Sequence, residues 1–161
     1  MRGRTLVFAT VLLLAVGCDQ ATKQLAVERL EGAPPISLAG DAVRFQLAAN
    51  TGGFLSLGDG LPPVWRRVVF VGLVPACLLV VCALVLRSRE VSAAAMVGLG
   101  LVVGGGLGNW LDRVGAGAVT DFVSLGIGPL RTGVFNLADV AIVAGVLLLA
   151  LVRSEGERPE P

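Results

Sequence analysis

The stretch GGGLGNWLDRVGAGAVTDFVSLGIGPLRTGVFNLAD, residues 104–139, decides how the rest of the chain is read. It sets three aspartates and two asparagines between two strongly apolar runs, residues 91–111 and 134–152. Each run is long enough to cross a bilayer core about 30 Å thick, which takes roughly 20 helical residues. The polar groups therefore gather where two membrane helices meet a connecting loop. Charge near hydrocarbon is costly, so several carboxylates together mark a functional site. The plainer alternative is a set of solvated loop residues and helix caps, and Asp139, inside the second apolar run, speaks against it.

Composition agrees with a membrane solvent. Of 161 residues, 55% are hydrophobic, and the mean hydropathy is +0.82. Apolarity is concentrated in runs, which predicts an all-α polytopic membrane protein of four transmembrane helices with a small extracytoplasmic β-containing loop region. Residues 1–152 form one domain, with spans at about 5–27, 64–86, 91–111 and 134–152, outer loops at 28–63 and 112–133, and a short charged tail, 153–161, expected to be disordered. A formal net charge of +1 gives no electrostatic case for nucleic acid. The chain has no histidine, which removes the commonest metal ligand and the commonest general base together. Cys18, Cys77 and Cys82 lie in or beside apolar runs without the paired spacing of a zinc or disulfide framework.

Residues 1–18 have a basic start, an apolar stretch and small residues before Cys18, so a secretory or lipoprotein signal is one reading. Ala15 stands where a lipobox has a large aliphatic residue, and the helical pattern continues through DQATKQLAVERL, which favours an uncleaved first span. Inside that span Asp19 and Lys23 are an i, i+4 pair with the acid nearer the N-terminus, the better orientation. In the long connection, VRFQL at 43–47 alternates as a strand with one wet face, and Asn50-Thr-Gly-Gly reads as a turn. Pro75 lies within the second span and is tolerable where neighbours satisfy the freed carbonyl. Gly100, Gly104 and Gly108 leave one face of the third span bare, for an internal helix contact or a dimer, the internal contact being preferred.

Helix arithmetic brings the polar groups to one depth. At 1.5 Å per residue, Asp19 stands about 21 Å above Thr5, Asn109 about 27 Å above Val91, and Asp139 about 20 Å above Val152, if both termini share one side. The pairs Asn109 with Asp112 and Asn136 with Asp139 are each i, i+3, so each amide lies on the face of its carboxyl. With both termini cytoplasmic, six basic residues fall inside and seven outside, most of the seven on longer loops, which leans toward that topology.

Asp19-x-x-x-Lys23, Asn50-Thr-Gly-Gly, Gly108-Asn109-x-x-Asp112-Arg113, Val119-Thr-Asp121-Phe122 and Phe135-Asn136-x-Ala138-Asp139 resemble, in order and spacing, the motifs of lipoprotein signal peptidases, or signal peptidase II. The resemblance covers nearly the whole chain. It implies an aspartic endopeptidase of the bacterial inner membrane with its site near the outer face, cutting a prolipoprotein before its diacylglyceryl-modified cysteine. By that resemblance Asp121 and Asp139 form the catalytic dyad. Asn50, Gly52, Asn109, Asp112, Arg113, Asn136 and Ala138 shape the pocket and hold substrate, and Asp19 with Lys23 is a structural pair. It also implies no metal or other cofactor, contact with membrane lipid, and sensitivity to the cyclic peptide globomycin. The chain departs from the family in one place: the aromatic after the Asn-x-Gly segment, Phe54, stands one position early.

Two carboxyls a few ångströms apart cannot both ionise readily, so the pair holds one proton, which suits a chain without histidine. Rival readings are a transporter coupling ions through Asp19, Asp112 and Asp139, a serine peptidase with Lys23 as base and Ser56 or Ser124 as nucleophile, and a purely structural protein built on the glycine face. No convincing internal repeat supports the first, no motif surrounds either serine, and the third leaves the carboxylates unexplained.

Overall fold

The computed structural model describes residues 2–53, 60–87 and 91–156. Among these described residues, four helices and four strands follow in the order α1 (Arg2–Leu30), β1 (Ile36–Leu38), β2 (Val43–Asn50), α2 (Pro63–Arg87), α3 (Ala93–Gly115), β3 (Val119–Ile127), β4 (Leu130–Arg131) and α4 (Leu137–Gly156). Three helical stretches, Gly3–Leu30, Pro63–Arg87 and Ala93–Ala116, are long and apolar enough to cross a membrane. The first two run past the expected spans at both ends, the third starts inside its expected span and ends beyond it, and α4 continues to Gly156, into the stretch expected as tail. Phe54 lies outside the described residues.

Burial is inverted relative to a water-soluble bundle. Leu13, Leu14, Leu79, Leu84 and Leu147 are exposed, while Asp19, Lys23, Asn109, Asp121 and Asn136 are buried. Leucines facing outward suit a hydrocarbon solvent, and polar groups must then find partners inside. On α1 the buried residues Phe8, Asp19, Lys23, Ala26 and Leu30 fall on one stripe, apolar at the start and charged beyond the middle.

Helix α3 is the central element, packed chiefly against α1 and α4. Its glycines set the distances. A Cβ placed on Gly104 would lie 2.7 Å from the Ala15 Cβ of α1, and one on Gly108 would lie 2.5 Å from an Asp19 carboxylate oxygen. Gly100 meets Val11 in the same way, so the 100, 104, 108 face serves an internal contact with α1. A second face approaches α4: a Cβ on Gly105 would lie 2.5 Å from the Ala138 carbonyl oxygen. Close approach of backbones is how membrane helices gain packing energy where solvent gives no hydrophobic drive.

Helix α2 touches this core through Val85, which packs with Phe8, Met96 and Val103. Residues Val68–Leu73 of α2 are wound as π-helix, just before Pro75. In α-helical geometry Pro75 would leave the Val71 carbonyl without its donor. The indole Nε1 of Trp110 donates to that oxygen at 3.2 Å, so the neighbouring helix supplies what the proline removes.

The strands form one antiparallel sheet in the order β1-β2-β3-β4. It is larger than the sequence suggests, because Val119–Ile127 is a strand where only loop was expected. Its residues pair with β2 on both sides of an irregularity between Phe45 and Ala48, which places Asp121 opposite Ala48 and Val119 opposite Asn50. β2 itself is half-buried along nearly its whole length rather than wet on one face. At the far edge, Asp41 accepts from Arg44 at 2.6 Å and from Arg131 at 2.7 Å, tying the β1–β2 turn to β4. Chain reversal from α3 into β3 uses Gly117 at φ +78°, a left-handed conformation that side chains disfavour.

The α3–α4 contact is testable by overpacking. Gly105→Val should destabilise the protein by about 1–3 kcal/mol. Gly115→Ala, where an added Cβ meets nothing within 4 Å, should leave stability unchanged. Thermal unfolding in detergent followed by circular dichroism distinguishes the two; equal behaviour would show that close packing at Gly105 is not what holds the helices.

Candidate active site

Asn136 ends the Val123–Phe135 backbone pairing and starts α4. Its side-chain Oδ1 accepts from the Asp139 backbone N–H at 3.0 Å, and Asp139 Oδ2 accepts from the Asn136 backbone N–H at 3.2 Å. This is a reciprocal capping box, with aspartate in place of the usual third-position glutamate. The intervening Ala138 N–H donates to Asp19 Oδ1 on α1 at 2.9 Å, which satisfies a further orphan donor of the helix start. Asp139 is thus fixed by the helix terminus that it helps to close.

Asp121 reaches the same asparagine from the sheet. Asn136 Nδ2 donates to Asp121 Oδ1 at 2.6 Å, and Asn50 Nδ2 donates to Asp121 Oδ2 at 2.9 Å. The other Asn136 amide hydrogen goes to Asn109 Oδ1 at 3.0 Å, and Asn109 Nδ2 donates to Asp139 Oδ1 at 2.9 Å. Two asparagines therefore connect the two aspartates from opposite sides of the gap between sheet and helix. The Asp121 carboxyl is pushed up to about 6, first by burial and further by the charge of Asp139, against the lowering effect of the Asn50 and Asn136 amides.

Beneath the pair lies Lys23, buried with all three ammonium hydrogens engaged. It contacts Asp19 at 2.8 Å, Asp112 at 2.9 Å and Asn109 Oδ1 at 2.9 Å. The i, i+4 pair read from the sequence is thus part of a larger cluster. Asp112 also accepts from the Thr120 N–H at 3.0 Å and from Gln20 Nε2 at 3.0 Å. Neither Gln20 nor Thr120 stood out in the sequence, although Gln20 is the neighbour of Asp19 and Thr120 that of Asp121. Sharing a helix face with Asp112 does not give Asn109 that partner: its amide turns to Asp139 on another helix instead.

Arg113 completes the cradle. Its guanidinium donates to the Asn109 carbonyl at 3.2 Å and to the Gly52 carbonyl, and it lies 4.9 Å from the centre of the Phe70 ring. Asn50 holds the turn through its amide to the Gly53 carbonyl at 3.3 Å, while its own Oδ1 is buried without a partner. The residues that the resemblance singles out therefore lie in one connected cluster: Asp19, Lys23, Asn50, Gly52, Asn109, Asp112, Arg113, Asp121, Asn136, Ala138 and Asp139. A lysine–serine pairing has no geometric support among the described residues. Lys23 is held by the acids, and the buried Ser124 hydroxyl is met by Arg131 at 3.3 Å; Ser56 lies outside the described residues.

Comparison with known proteins gives a consistent picture. The family model described as Signal peptidase (SPase) II matches residues 11–153. A lipoprotein signal peptidase of Streptomyces coelicolor is 34% identical, the match covering 98% of this chain and 74% of that protein. One from Rhodococcus jostii is 37% identical, covering 98% and 77%, and one from Chlorobium phaeobacteroides is 31% identical, covering 91% and 89%. Among solved structures, a bacterial membrane enzyme determined in meso at 2.3 Å superposes with a TM-score of 0.80 at 22% identity, covering 96% of this chain and 92% of the other.

The raised Asp121 carboxyl has a consequence for stability with a definite sign. Its folded value, about 6, lies above the ordinary 3.8. Folding therefore favours the protonated form, and this contribution is present below about pH 4 and lost as pH rises through about 6. Asp121→Asn removes the titration, so its melting temperature relative to wild type should climb between about pH 4 and about pH 7. The span is worth up to about 3 kcal/mol for a shift of about two units. In Asp139→Asn, carboxyl-carbon NMR should find Asp121 titrating lower than in wild type, yet still above 3.8 because burial is the larger cause. An unchanged midpoint would show that the two carboxyls do not sense each other.

Proposed function

The chain belongs to the signal peptidase II family, and we propose that it is an intramembrane aspartic endopeptidase that removes signal peptides from prolipoproteins, cutting before the diacylglyceryl-modified cysteine. The observation that carries this reading is the convergence of Asp121 and Asp139 on Asn136, which donates its side-chain amide to one and its backbone N–H to the other. Asp121 arrives on a strand and Asp139 on a helix, so the gap between them is set by two rigid elements.

In the proposed reaction the ionised carboxyl, Asp139, takes a proton from a water molecule as its oxygen attacks the scissile carbonyl carbon. Asp121 gives its proton to the carbonyl oxygen, and a neutral gem-diol forms. Collapse returns a hydroxyl proton to Asp121, breaks the C–N bond and passes the proton on Asp139 to the departing amine. The asymmetry has a local basis. The positive end of α4 favours negative charge at its first turn, and burial raises the Asp121 carboxyl, which makes it the readier of the two to take the proton. In the resting arrangement both Asp121 oxygens accept amide hydrogens, so a proton there needs an acceptor. Rotating the Asn50 amide presents its unpartnered Oδ1 for that role. In titration the values observed belong to the pair.

The reading extends to placement. Helix α4 is the fourth membrane span, both termini are cytoplasmic, and the sheet and dyad lie at the outer face of the bacterial inner membrane. Substrate enters from the lipid with its acyl chains left in the bilayer, and globomycin competes for the same cleft.

The test is cleavage of a diacylated prolipoprotein in lipid or detergent by wild type, Asp121→Asn and Asp139→Asn, with folding checked by helix content. Asparagine keeps the shape and removes the acid. Wild type should cut before the modified cysteine, and each variant should stay folded and lose on the order of 10²–10⁴ in rate. Near-normal activity in either variant would rule out the dyad.

A further inference from the structure

Outside the dyad, a second cluster of charge lies around Arg113. A cavity of about 200 Å³ is lined by Arg66, Arg67, Arg113, Phe70 and Thr51, with no acid among the described residues of its walls. Arg66 donates to the Thr51 hydroxyl at 2.5 Å and Arg113 to the Gly52 carbonyl, yet the Nε of Arg66 and the Nε of Arg113 are both buried without an acceptor. Neither Arg66 nor Arg67 makes an ion pair among the described residues. Buried guanidinium N–H groups left unbonded are costly. Arg66, Arg67 and Arg113 together line one cavity, and with no ion pair from Arg66 or Arg67 among the described residues, that concentration of positive charge is one an anion would balance.

The surroundings indicate which anion. A groove of about 450 Å³ adjoins the cavity and shares Pro63, Arg67 and Val71 with it; its other walls are Val64, Val68 and Gly72. An added Cβ at Gly72 would meet nothing within 4 Å, so the groove is open at that position. Val64, Trp65 and Val68 are exposed beside it, on the first turns of a helix long and apolar enough to cross a membrane. An exposed tryptophan at a span end is the usual neighbour of lipid headgroups. A phosphate site opening directly into an apolar groove fits a molecule with both parts.

We propose that the Arg66–Arg67–Arg113 cavity binds the phosphate of an anionic phospholipid whose acyl chain lies along the Val64–Gly72 groove of α2. Among the described residues the cavity offers the cation of a zwitterionic headgroup only arginines, which disfavours such a lipid. The inference rests on α2 spanning the membrane and is independent of the aspartic dyad. Because Arg113 also contacts the Gly52 turn, the bound lipid braces the segment next to Asn50.

The test uses the full chain in non-ionic detergent, with thermal unfolding measured against added phosphatidylglycerol, phosphatidylcholine or inorganic phosphate. Phosphatidylglycerol should raise the melting temperature saturably, and the other two should not. In Arg67→Gln the half-saturating concentration should rise about 5-fold, following the worth of one basic residue at a lipid surface, and further in the Arg66→Gln, Arg67→Gln double variant. Arg29→Gln, an exposed charge at the end of α1, should change nothing. The proposal is overturned if phosphatidylglycerol fails to stabilise wild type, if phosphatidylcholine or free phosphate does as well, or if Arg29→Gln weakens the effect as much as Arg67→Gln. Should the double variant fail to fold, Arg67→Gln alone decides, since that side chain is exposed. Prolipoprotein cleavage in the same samples keeps the outcomes separate: loss of the lipid effect with intact cleavage removes this site and leaves the peptidase reading, and the reverse result does the opposite.

Discussion

The ammonium of Lys23 is the contact on which the arrangement depends. It is buried, and within hydrogen-bond reach it has Asp19 on its own helix and Asp112 and Asn109 on α3. Asp19 in turn caps the first turn of α4 through Ala138. One cation thus joins the three helices whose ends carry the site. An isolated ammonium at such depth would cost several kcal/mol, and removing one partner of a buried pair typically costs about 3–5 kcal/mol. The cluster therefore gives less a surplus of stability than a preferred alignment of α1, α3 and α4, because a shift of any one helix would part Lys23 or Asp19 from a buried partner.

That alignment is possible only because α3 is nearly bare where it meets its neighbours. With a side chain at 108, the Asp19 carboxylate could not reach Lys23 and the Ala138 N–H from its present position. With one at 105, the start of α4 would be pushed away and Asp139 with it. Glycine spacing and charge pairing are thus two parts of one constraint: the first sets how near the backbones come, and the second fixes their rotation and depth.

The sequence made much of this legible. Four apolar runs, the bare face of α3 and the common depth of Asp19, Asn109 and Asp139 follow from spacing alone, and the resemblance brought in Asp121. Strand β3 was hidden for a physical reason. A strand is recognised by apolar residues on its dry face, and here the face that carries Val119 also carries the buried Asp121. Polar residues sit on the inner face because the interior at this level is the site itself, so the alternation read as loop. The partner of Asn109 was hidden for a related reason: i, i+3 spacing shows that two side chains share a face, while the choice of acceptor depends on Lys23, which claims Asp112 first. Gln20 was invisible because, beside a contact to its neighbour Asp19, its bonds cross a helix interface to Gly108 and Asp112.

Charge balance within the cluster bears on how the dyad holds its proton. Four carboxyls, those of Asp19, Asp112, Asp121 and Asp139, lie in the network with two cations. Lys23 is shared by Asp19 and Asp112, and Arg113 bonds carbonyls rather than carboxylates. Asp121 and Asp139 are left with amides alone as direct partners, from Asn50, Asn109 and Asn136. Neutral amides orient a carboxylate without cancelling its charge, so two negative charges here would repel in a site with little water. A cation in the place of Asn136 would allow both to ionise and would leave no proton to give. The asparagines therefore hold both aspartates in position while leaving one of them the carboxyl easiest to protonate, the property that acid–base chemistry between two like groups requires.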